Sequence, residues 1–379
     1  MKQRIKYIII SVLIFSSLSS CDETPQEGTL KPTYSFLVGS YTDGIEHGIG
    51  VLSFNFEEGV LGMNPLKVGV ENPSFVIANR AQDLVFAVEE TNEGKIKSYA
   101  FDRATNTLTL IDEQPTFGAH PCYIALSPDE HIVVVGNYSG GNFSVYKVDE
   151  GKLTHVQTVQ HEGSSINSAR QNQSHVHSVV FHPEGKYLLV GDLGTDKVFV
   201  YNYRPDYAVP FQPFSQPHFE VEAGVGPRHL IVHPSGRFVY LVHELSAEIG
   251  VYKFQNGRLS HIDSYPLTAS TYVGAISAAE VRISPENNFL YVSNRGDANE
   301  LSSFQIQEDG TLALVERIST GGITPRNFTL TKDGNYLLVA HQDSGDIQVF
   351  ERNNKTGKLT KTTMEIKVNS PVYLFSLDG

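Results

Sequence analysis

An internal repeat of about fifty residues constrains the fold of this chain more than any other feature of its sequence. Similar segments begin at His182 (HPEGKYLLVGDLGTDKVFVYNY) and at His233 (HPSGRFVYLVHELSAEIGVYKF), and related segments lie on either side of them. The turn that opens these segments recurs, at spacings of 55, 51, 51 and 47 residues, at Pro128, Pro183, Pro234, Pro285 and Lys332. A period of this length is typical of solenoids and propellers.

Each repeat has the pattern of four short strands. An apolar run leads into a Pro-x-Gly-like turn, a β-branched and aromatic run, a polar loop, an alternating run and a Gly-x-Leu hairpin. Four antiparallel strands per repeat indicate the blade of a β-propeller. No helical periodicity competes with this pattern after residue 20.

The number of blades follows from the first strands of the repeats. Seven segments open such a strand: Pro73–Phe75, Pro121–Tyr123, Val176–Ser178, Pro227–His229, Ala278–Glu280, Pro325–Asn327 and Pro371–Tyr373. The last of them lacks three strands, and we predict that residues 34–41, 47–56 and 60–68 supply them. A blade made from both ends of the chain closes the ring and removes its exposed edges. The sequence therefore predicts an all-β, seven-bladed propeller over residues 34–379, with four antiparallel strands per blade.

The N-terminal residues have the features of an export signal. A cationic start (MKQRIK) precedes an apolar run from Tyr7 to Phe15, which is too short to span a bilayer. The following LSSC resembles a bacterial lipobox, so we predict a signal peptide over residues 1–20, lipid attachment at Cys21 and a tether over residues 21–33. The predicted location is extracytoplasmic and membrane-anchored, in the periplasm or at the cell surface. An ordinary signal peptide with a chance cysteine is the alternative.

The net charge limits the class of partner. At −13, the chain disfavours binding to nucleic acid. We expect a small-molecule ligand, with the lipid bilayer as the partner of Cys21. No metal and no other cofactor is predicted.

Polar residues of the repeats converge on one mouth of the predicted channel, because first strands begin and second strands end on the same face of a propeller. The residues six positions before the five turn residues are Cys122, His177, Arg228, Ala279 and Arg326, and by analogy Ser74 and Val372 occupy this position in the first and last repeats. Ten positions after the turn residues stand Glu90, Tyr138, Leu193, Glu244, Arg295 and Gln342, preceded by Glu89, Asn137, Asp192, His243, Asn294 and His341. We predict that this mouth is the functional face and that two long segments, 161–176 and 203–226, form its walls.

Four of these residues have the chemistry of a catalytic site. Glu244 can act as a general base and His177 as a proton donor or relay, while Arg228 and Arg295 can hold an anion or an oxyanion. Further contacts to a ligand are predicted for Arg326, His341, Gln342, Tyr138 and Asn137. Two structural alternatives remain open. Glu244 only neutralises Arg228 or Arg295 in the first, and Tyr138 and Asn137 only shape a loop in the second.

Several strings of the sequence resemble the lactonase family of seven-bladed propellers. They include FLVGSYT, HVHSVVF, GVGPRHLIVHPSGRFVYLVHEL and ISPENNFLYVSNRGD, and the resemblance extends from residue 34 to about residue 377. The family contains the propeller-type bacterial 6-phosphogluconolactonase and the fungal carboxy-cis,cis-muconate lactonizing enzyme. Its proposed site residues correspond here to His177, Arg228, Glu244 and Arg295.

The resemblance implies a carboxylic-ester hydrolase that opens a sugar lactone or binds a related anionic carbohydrate. The export signal is a departure, because 6-phosphogluconolactone is made in the cytoplasm. A non-catalytic ligand-binding or interaction propeller is therefore one alternative, and a muconate-type cycloisomerase is another.

Overall fold

The repeats fold into seven separate four-stranded sheets. A computed structural model describes residues 33–44 and 48–377, and within these residues all regular structure is β-strand. The predicted signal peptide and the lipid attachment at Cys21 lie outside the described residues. In the part of the chain that is described, there is no helix of the length and apolarity needed to cross a membrane.

Each blade consists of four consecutive strands except the last, which combines the two ends of the chain. Blade seven contains β1 Tyr34–Ser40, β2 Ile49–Asn55, β3 Val60–Leu66 and the C-terminal strand β28 Pro371–Ser376. Blade one contains β4 Val76–Ala78, β5 Leu84–Glu89, β6 Lys95–Asp102 and β7 Thr107–Pro115, and blade two contains β8 Pro121–Leu126, β9 Ile132–Asn137, β10 Asn142–Asp149 and β11 Lys152–Gln160. Blade three contains β12 Val176–Phe181, β13 Tyr187–Asp192, β14 Lys197–Tyr203 and β15 Phe211–Glu220, and blade four contains β16 Pro227–Val232, β17 Phe238–His243, β18 Glu248–Gln255 and β19 Arg258–Pro266. Blade five contains β20 Ile276–Ile283, β21 Phe289–Gly296, β22 Glu300–Ile306 and β23 Leu312–Ser319, and blade six contains β24 Pro325–Leu330, β25 Tyr336–His341, β26 Asp346–Arg352 and β27 Leu359–Lys367.

The ring closes as the sequence predicts. The C-terminal strand β28 is the inner strand of blade seven and pairs antiparallel with β1, in the sheet order β28-β1-β2-β3. It also contacts β24 of blade six and β4 of blade one, so the circle of inner strands is complete. The prediction of seven blades with a last blade made from both termini is confirmed.

Apolar side chains fill the spaces between neighbouring blades. The strand β17 is buried along its whole length, because both faces of its sheet pack against another blade. Tyr240 and Val242 pack with residues of blade five such as Leu290, whereas Leu241 packs with residues of blade three such as Leu189. This two-sided burial explains why the second strands are continuous apolar runs instead of alternating ones.

A β-bulge near the start of the inner strands positions the functional side chains. The pairing of β8, β12, β24 and β28 with the neighbouring strand skips one residue, which is Cys122, His177, Arg326 and Val372 respectively. The pairing of β16 is irregular at Arg228. Because a bulged residue is left out of the ladder and its side chain is redirected, these residues can turn towards the channel mouth.

The segment 203–226 differs from the prediction that it walls the mouth. Most of it forms the hairpin between β14 and β15 and the outer strand β15 itself. Pro213 and Pro217 lie within β15. Proline is tolerated there because the outer strand of a blade is an edge strand and needs fewer ladder hydrogen bonds.

Closure of the ring can be tested with the buried side chain of Leu374 in β28, which packs with Phe36 and Leu338 of adjacent strands. We expect Leu374→Ala to lower the free energy of unfolding by about 2–5 kcal/mol, because it leaves a cavity in the core. The matched control is Leu110→Ala on β7, where the side chain is 53% exposed, and its effect should stay within about 0.5 kcal/mol. Chemical denaturation followed by circular dichroism measures both, and equal effects would contradict a structural role of β28.

Candidate functional site

A polar cavity of about 320 Å³ lies at the channel mouth where the inner strands begin. Its walls carry three arginines, two glutamates and one histidine among nine residues. The lining residues are Tyr41, Glu90, Cys122, Tyr138, Arg170, His177, Glu244, Arg295 and Arg326. Five residues predicted from the sequence to belong to the site are therefore brought together: Tyr138, His177, Glu244, Arg295 and Arg326.

Glu244 is the centre of the charge network in this cavity. It follows the last residue of β17, and its backbone N–H donates to Gly226 O at 2.8 Å while its carbonyl accepts from Ala278 N at 3.1 Å. These two hydrogen bonds tie Glu244 to the loop before its own blade and to the inner strand of blade five. The backbone of Glu244 is therefore held in place from two sides.

The carboxylate of Glu244 forms ion pairs with three arginines. Its oxygens lie 2.6 Å from Arg170 Nη2, 3.0 Å from Arg228 Nε and 3.2 Å from Arg295 Nη2. Burial opposes ionisation of Glu244, but Arg295, Arg228 and Arg170 outweigh it and lower its pKa to about 2. Glu244 is consequently ionised at every physiological pH.

His177 faces Glu244 without a direct hydrogen bond. Its Nε2 lies 3.7 Å from Glu244 Oε2 and its Nδ1 lies 3.7 Å from Cys122 Sγ. Burial, followed by the positive charge of Arg228, lowers the pKa of His177 well below its ordinary value. The imidazole is therefore neutral at neutral pH. The separation of 3.7 Å exceeds hydrogen-bond length and is suited to a bridging water molecule.

The structure corrects the expected position of Arg228. This arginine is 1% exposed and does not line the cavity. It donates to Ala279 O and forms its ion pair with Glu244 from the channel side. The guanidinium of Arg228 therefore contacts Glu244 and does not line the cavity itself.

Arg295 and Arg326 present their charges to the cavity in different ways. Arg295 donates to Ser277 O at 3.2 Å and to Ser277 Oγ at 2.8 Å, and its pKa is lowered to about 9, first by burial and then by neighbouring arginines, against the opposing effect of Glu244. Arg326 lies over the ring of Tyr41, with 5.3 Å from the guanidinium carbon to the ring centroid. Among the described residues no hydrogen bond or ion pair engages Arg326. Its donors are therefore available to an anionic ligand.

Tyr41 and Glu90 complete the wall beside Arg326. The hydroxyl of Tyr41 donates to the carboxylate of Glu90, with both oxygens at 3.1 Å. Burial raises the pKa of Tyr41, so its hydroxyl stays protonated. Glu90 is among the residues that the sequence predicts at this mouth, but it is not one of the predicted catalytic or ligand-binding residues.

Three predicted ligand contacts do not line the cavity. Asn137 and His341 end second strands and pair across to the third strand of their own blade: Asn137 Nδ2 donates to Asn142 Oδ1 at 2.6 Å, and His341 Nδ1 lies 2.6 Å from Asp346 Oδ1. Gln342 also lies outside the lining. The other two predicted ligand contacts, Tyr138 and Arg326, do line it. The ring of Tyr138 is stacked on that of His175, with centroids 4.4 Å apart. The last residue of the second strand is thus paired within its own blade in blades two and six.

Arg170 was not identified from the sequence, although its loop was. The predicted wall segment 161–176 carries it into the cavity, where its Nη2 also lies 3.4 Å from Tyr138 Oη. The loop is fastened by Asp192, whose carboxylate accepts from Ser174 Oγ at 2.6 Å and from His175 N at 2.8 Å. The signal that could have revealed Arg170 is its position as the one arginine of a long loop predicted to lie beside the strand end that supplies Glu244.

Within residues 33–44 and 48–377, no three or more His, Cys, Asp or Glu side chains are arranged to hold a metal ion. Burial raises the pKa of the Cys122 thiol, so it stays protonated beside His177.

These features define a seven-bladed propeller with an arginine-rich cavity at one mouth, in which a buried carboxylate faces a neutral imidazole. Comparison with known proteins identifies the family. Residues 35–375 match the family described as Lactonase, 7-bladed beta-propeller, and the chain belongs to it.

Relatives that are named for an enzymatic activity match nearly the whole propeller. The structure of the periplasmic gluconolactonase of Pseudomonas aeruginosa superposes with a TM-score of 0.87 at 37% identity, over 91% of this chain and 99% of the other. The 6-phosphogluconolactonase of Formosa agariphila is 32% identical over 340 residues, which cover 88% of this chain and 96% of the relative. That of Bacillus subtilis is 28% identical over 345 residues, 89% and 97% of the two chains. These three relatives are thus named as lactonases.

The ion pairs of Glu244 predict a specific dependence of stability on pH. Its pKa is lowered from 4.5 to about 2, so the stabilisation from the ionised carboxylate is fully present above pH 4.5 and is lost as the pH falls towards 2. We expect Glu244→Gln to lower the free energy of unfolding by about 3–5 kcal/mol at pH 7, because it leaves buried arginines uncompensated. The difference from the wild type should shrink between pH 4.5 and pH 2.

Urea denaturation across this pH range measures the effect. The control is Glu308→Gln, which alters an exposed carboxylate in the hairpin after β22 and should change stability by no more than about 0.5 kcal/mol at any pH. A difference between Glu244→Gln and the wild type that is constant from pH 7 to pH 2 would contradict the ion-pair network.

Proposed function

We propose that this protein hydrolyses a lactone that carries an anionic group. The observation on which this rests is the 3.7 Å separation of His177 Nε2 and Glu244 Oε2 at the wall of a cavity that also presents Arg295 and Arg326. A water molecule bridging the two atoms is hydrogen-bonded to an imidazole and a carboxylate at once. Such a water is oriented for attack on a carbonyl carbon bound in the cavity.

The arginines supply the electrostatic part of the reaction. Attack on the lactone carbonyl creates an oxyanion, which Arg295 can stabilise because its guanidinium is already held by Ser277. Arg326, with donors that no described residue engages, is the clamp for a phosphate or carboxylate of the substrate. Arg228 keeps the role of positioning Glu244.

The proton of the attacking water passes to the His177–Glu244 pair. Glu244 alone is a weak base because its pKa is about 2. His177 is neutral and able to accept the proton, and the adjacent carboxylate stabilises the imidazolium that forms. When the tetrahedral intermediate collapses and the ring C–O bond breaks, the imidazolium returns this proton to the leaving alkoxide, which gives the open hydroxy acid. Binding of a substrate anion at Arg326 lessens the positive field that depresses the pKa of His177. The anionic group therefore both anchors the substrate and strengthens the base.

One observation favours the alternative of a non-catalytic binding protein. A carboxylate that three arginines neutralise can serve to shape an anion-binding pocket without accepting a proton. A measurement of lactone turnover distinguishes the binding protein from the enzyme. No observation of the site specifically favours a cycloisomerase.

Substitution of the catalytic pair tests the proposed reaction on a panel of phosphorylated and unphosphorylated aldonolactones. We expect Glu244→Gln and His177→Gln each to lower kcat by on the order of 10²-fold, with ligand affinity roughly retained. Assays are made where the circular dichroism spectra of variants and wild type agree. If the wild type binds sugar ligands but opens no lactone, the protein is a binding protein and the proposal of hydrolysis is wrong.

Arg326 is expected to act on affinity. Arg326→Gln should raise KM for a phosphorylated or carboxylated lactone about tenfold or more, because a hydrogen bond to a charged group is lost. For a neutral lactone the change should be small. The control is Arg237→Gln, which alters an exposed arginine in the β16–β17 hairpin on the opposite face. Equal changes of KM for charged and neutral lactones would show that Arg326 does not recognise the anion.

We propose that the reaction takes place outside the cytoplasm, with the protein anchored to a membrane through Cys21. The lipobox-like LSSC and the periplasmic gluconolactonase among the relatives support this location. The substrate is then a lactone that reaches the periplasm or the cell surface.

Lipid attachment is tested by expressing the full chain in a bacterium with labelled palmitate. The wild type should incorporate the label and sediment with membranes, whereas Cys21→Ser should carry no label and should be released. Cys122→Ser serves as the control and should behave as the wild type. A Cys21→Ser protein that remains membrane-bound, together with an unlabelled wild type, would refute the anchor.

A further inference from the structure

The channel axis contains a second, smaller void directly beyond the cavity. Cys122, His177 and Arg326 line both spaces and so form a floor between them. The void measures about 10 Å³, close to the smallest cavity that holds one water molecule. Its remaining walls include Ser74 and, one position further along the inner strands, His229.

Apart from Arg228 Nε, which is ion-paired with Glu244 at 3.0 Å, two buried polar atoms in these walls have no hydrogen-bond partner among the described residues. They are Ser74 Oγ and His229 Nε2, on side chains of residues that are each 5% exposed. Leaving such atoms unsatisfied costs about 1–3 kcal/mol each. Buried polar groups in native proteins are therefore nearly always paired, with protein or with water.

The partner of His229 determines which proton its ring carries. His229 Nδ1 lies 3.2 Å from Glu280 Oε2. Burial opposes ionisation of Glu280, but Arg282 and His229 outweigh it and lower its pKa to about 2. The carboxylate can then only accept, so Nδ1 carries the proton. Burial and Arg228 lower the pKa of His229 to about 4, and the ring is neutral. Its Nε2 therefore presents a lone pair to the void.

We propose that the void binds one water molecule, which donates to His229 Nε2 and hydrogen-bonds to Ser74 Oγ. A cation is disfavoured by Arg228 and Arg326 in the walls, and a phosphate or carboxylate does not fit a space of about 10 Å³. The volume excludes anything larger than water. One water molecule satisfies both orphaned atoms.

The proposal has a consequence for catalysis that rests on the proposed function. The water connects Ser74, at the level of the floor, with the His229–Glu280 pair one level deeper. The ring of His229 packs edge-on to that of His177, with centroids 5.3 Å apart and an interplanar angle of 80°. Ser74, His229 and Glu280 are then positioning residues that hold the catalytic imidazole from beneath.

Measurements on the wild type test the water independently of activity. Nitrogen-15 NMR of the imidazoles should find His229 protonated on Nδ1 at neutral pH, with an Nε2 resonance shifted by an accepted hydrogen bond. A crystal structure at high resolution should contain a density peak within hydrogen-bond distance of Ser74 Oγ and His229 Nε2. A void without density, or a proton on Nε2, overturns the proposal.

Substitution of Ser74 tests the positioning role. Ser74→Val fills the void and removes the hydroxyl, so the density peak and the hydrogen-bond shift of Nε2 should be lost. We expect kcat for lactone opening to fall about fivefold or more, with KM unchanged, as for loss of one hydrogen bond. The matched control is Ser303→Val, since Ser303 is also buried with an unpartnered Oγ but lies in β22, away from the channel.

The outcomes separate this inference from the proposed function. If Ser74→Val loses the water and retains kcat, the positioning role is wrong. If the wild type opens no lactone, the proposed function fails, but the NMR and crystallographic results still decide whether the water is bound. If Ser74→Val does not fold, the two wild-type measurements remain sufficient to refute the water.

Discussion

The antiparallel pairing of β28 with β1 is the interaction on which the rest of the structure depends. It joins residues more than 300 positions apart and turns a row of blades into a closed ring. The cavity wall exists only because of this closure. Tyr41, one residue beyond β1, meets Glu90 of blade one and lies under Arg326 of blade six. An open ring would separate these three side chains. The hydrogen bonds between β28 and β1 therefore also hold this part of the cavity wall together.

The repeated bulge explains why counting along the sequence located the mouth of the channel. Because the irregularity falls at the same position in successive inner strands, the residue six places before the turn is the one left out of the ladder, as His177 and Arg326 are. The count at the end of the second strand was less reliable. His341 and Asn137 find partners within their own blade, and sequence alone does not distinguish an imidazole or amide that faces a channel from one that faces a neighbouring strand.

Loops were harder to interpret than strands for a physical reason. Segments 161–176 and 203–226 are both long, yet the first carries Arg170 into the cavity and the second forms the hairpin after β14 and the outer strand β15. Proline and length suggest a loop in both cases, whereas the outcome depends on pairing with β14 and on anchoring by Asp192. Such non-local contacts leave no periodic pattern. Arg170 escaped prediction for the same reason.

The balance of charge in the cavity connects its stability with its proposed chemistry. Arg295 has a pKa of about 9, lowered first by burial and then by neighbouring arginines, against the opposing effect of Glu244. The walls of the cavity carry three arginines and two glutamates, so they contain more positive than negative charge. That repulsion is a cost to the folded protein and is relieved when an anion binds. The same relief reaches His177, whose pKa the arginines also depress. Burial remains the largest cause of the lowered pKa of His177, so in the proposed reaction an anionic lactone raises the basicity of the imidazole in part, whereas a neutral lactone does not raise it. In the proposed reaction, selectivity for charge and activation of the base therefore arise from one electrostatic field.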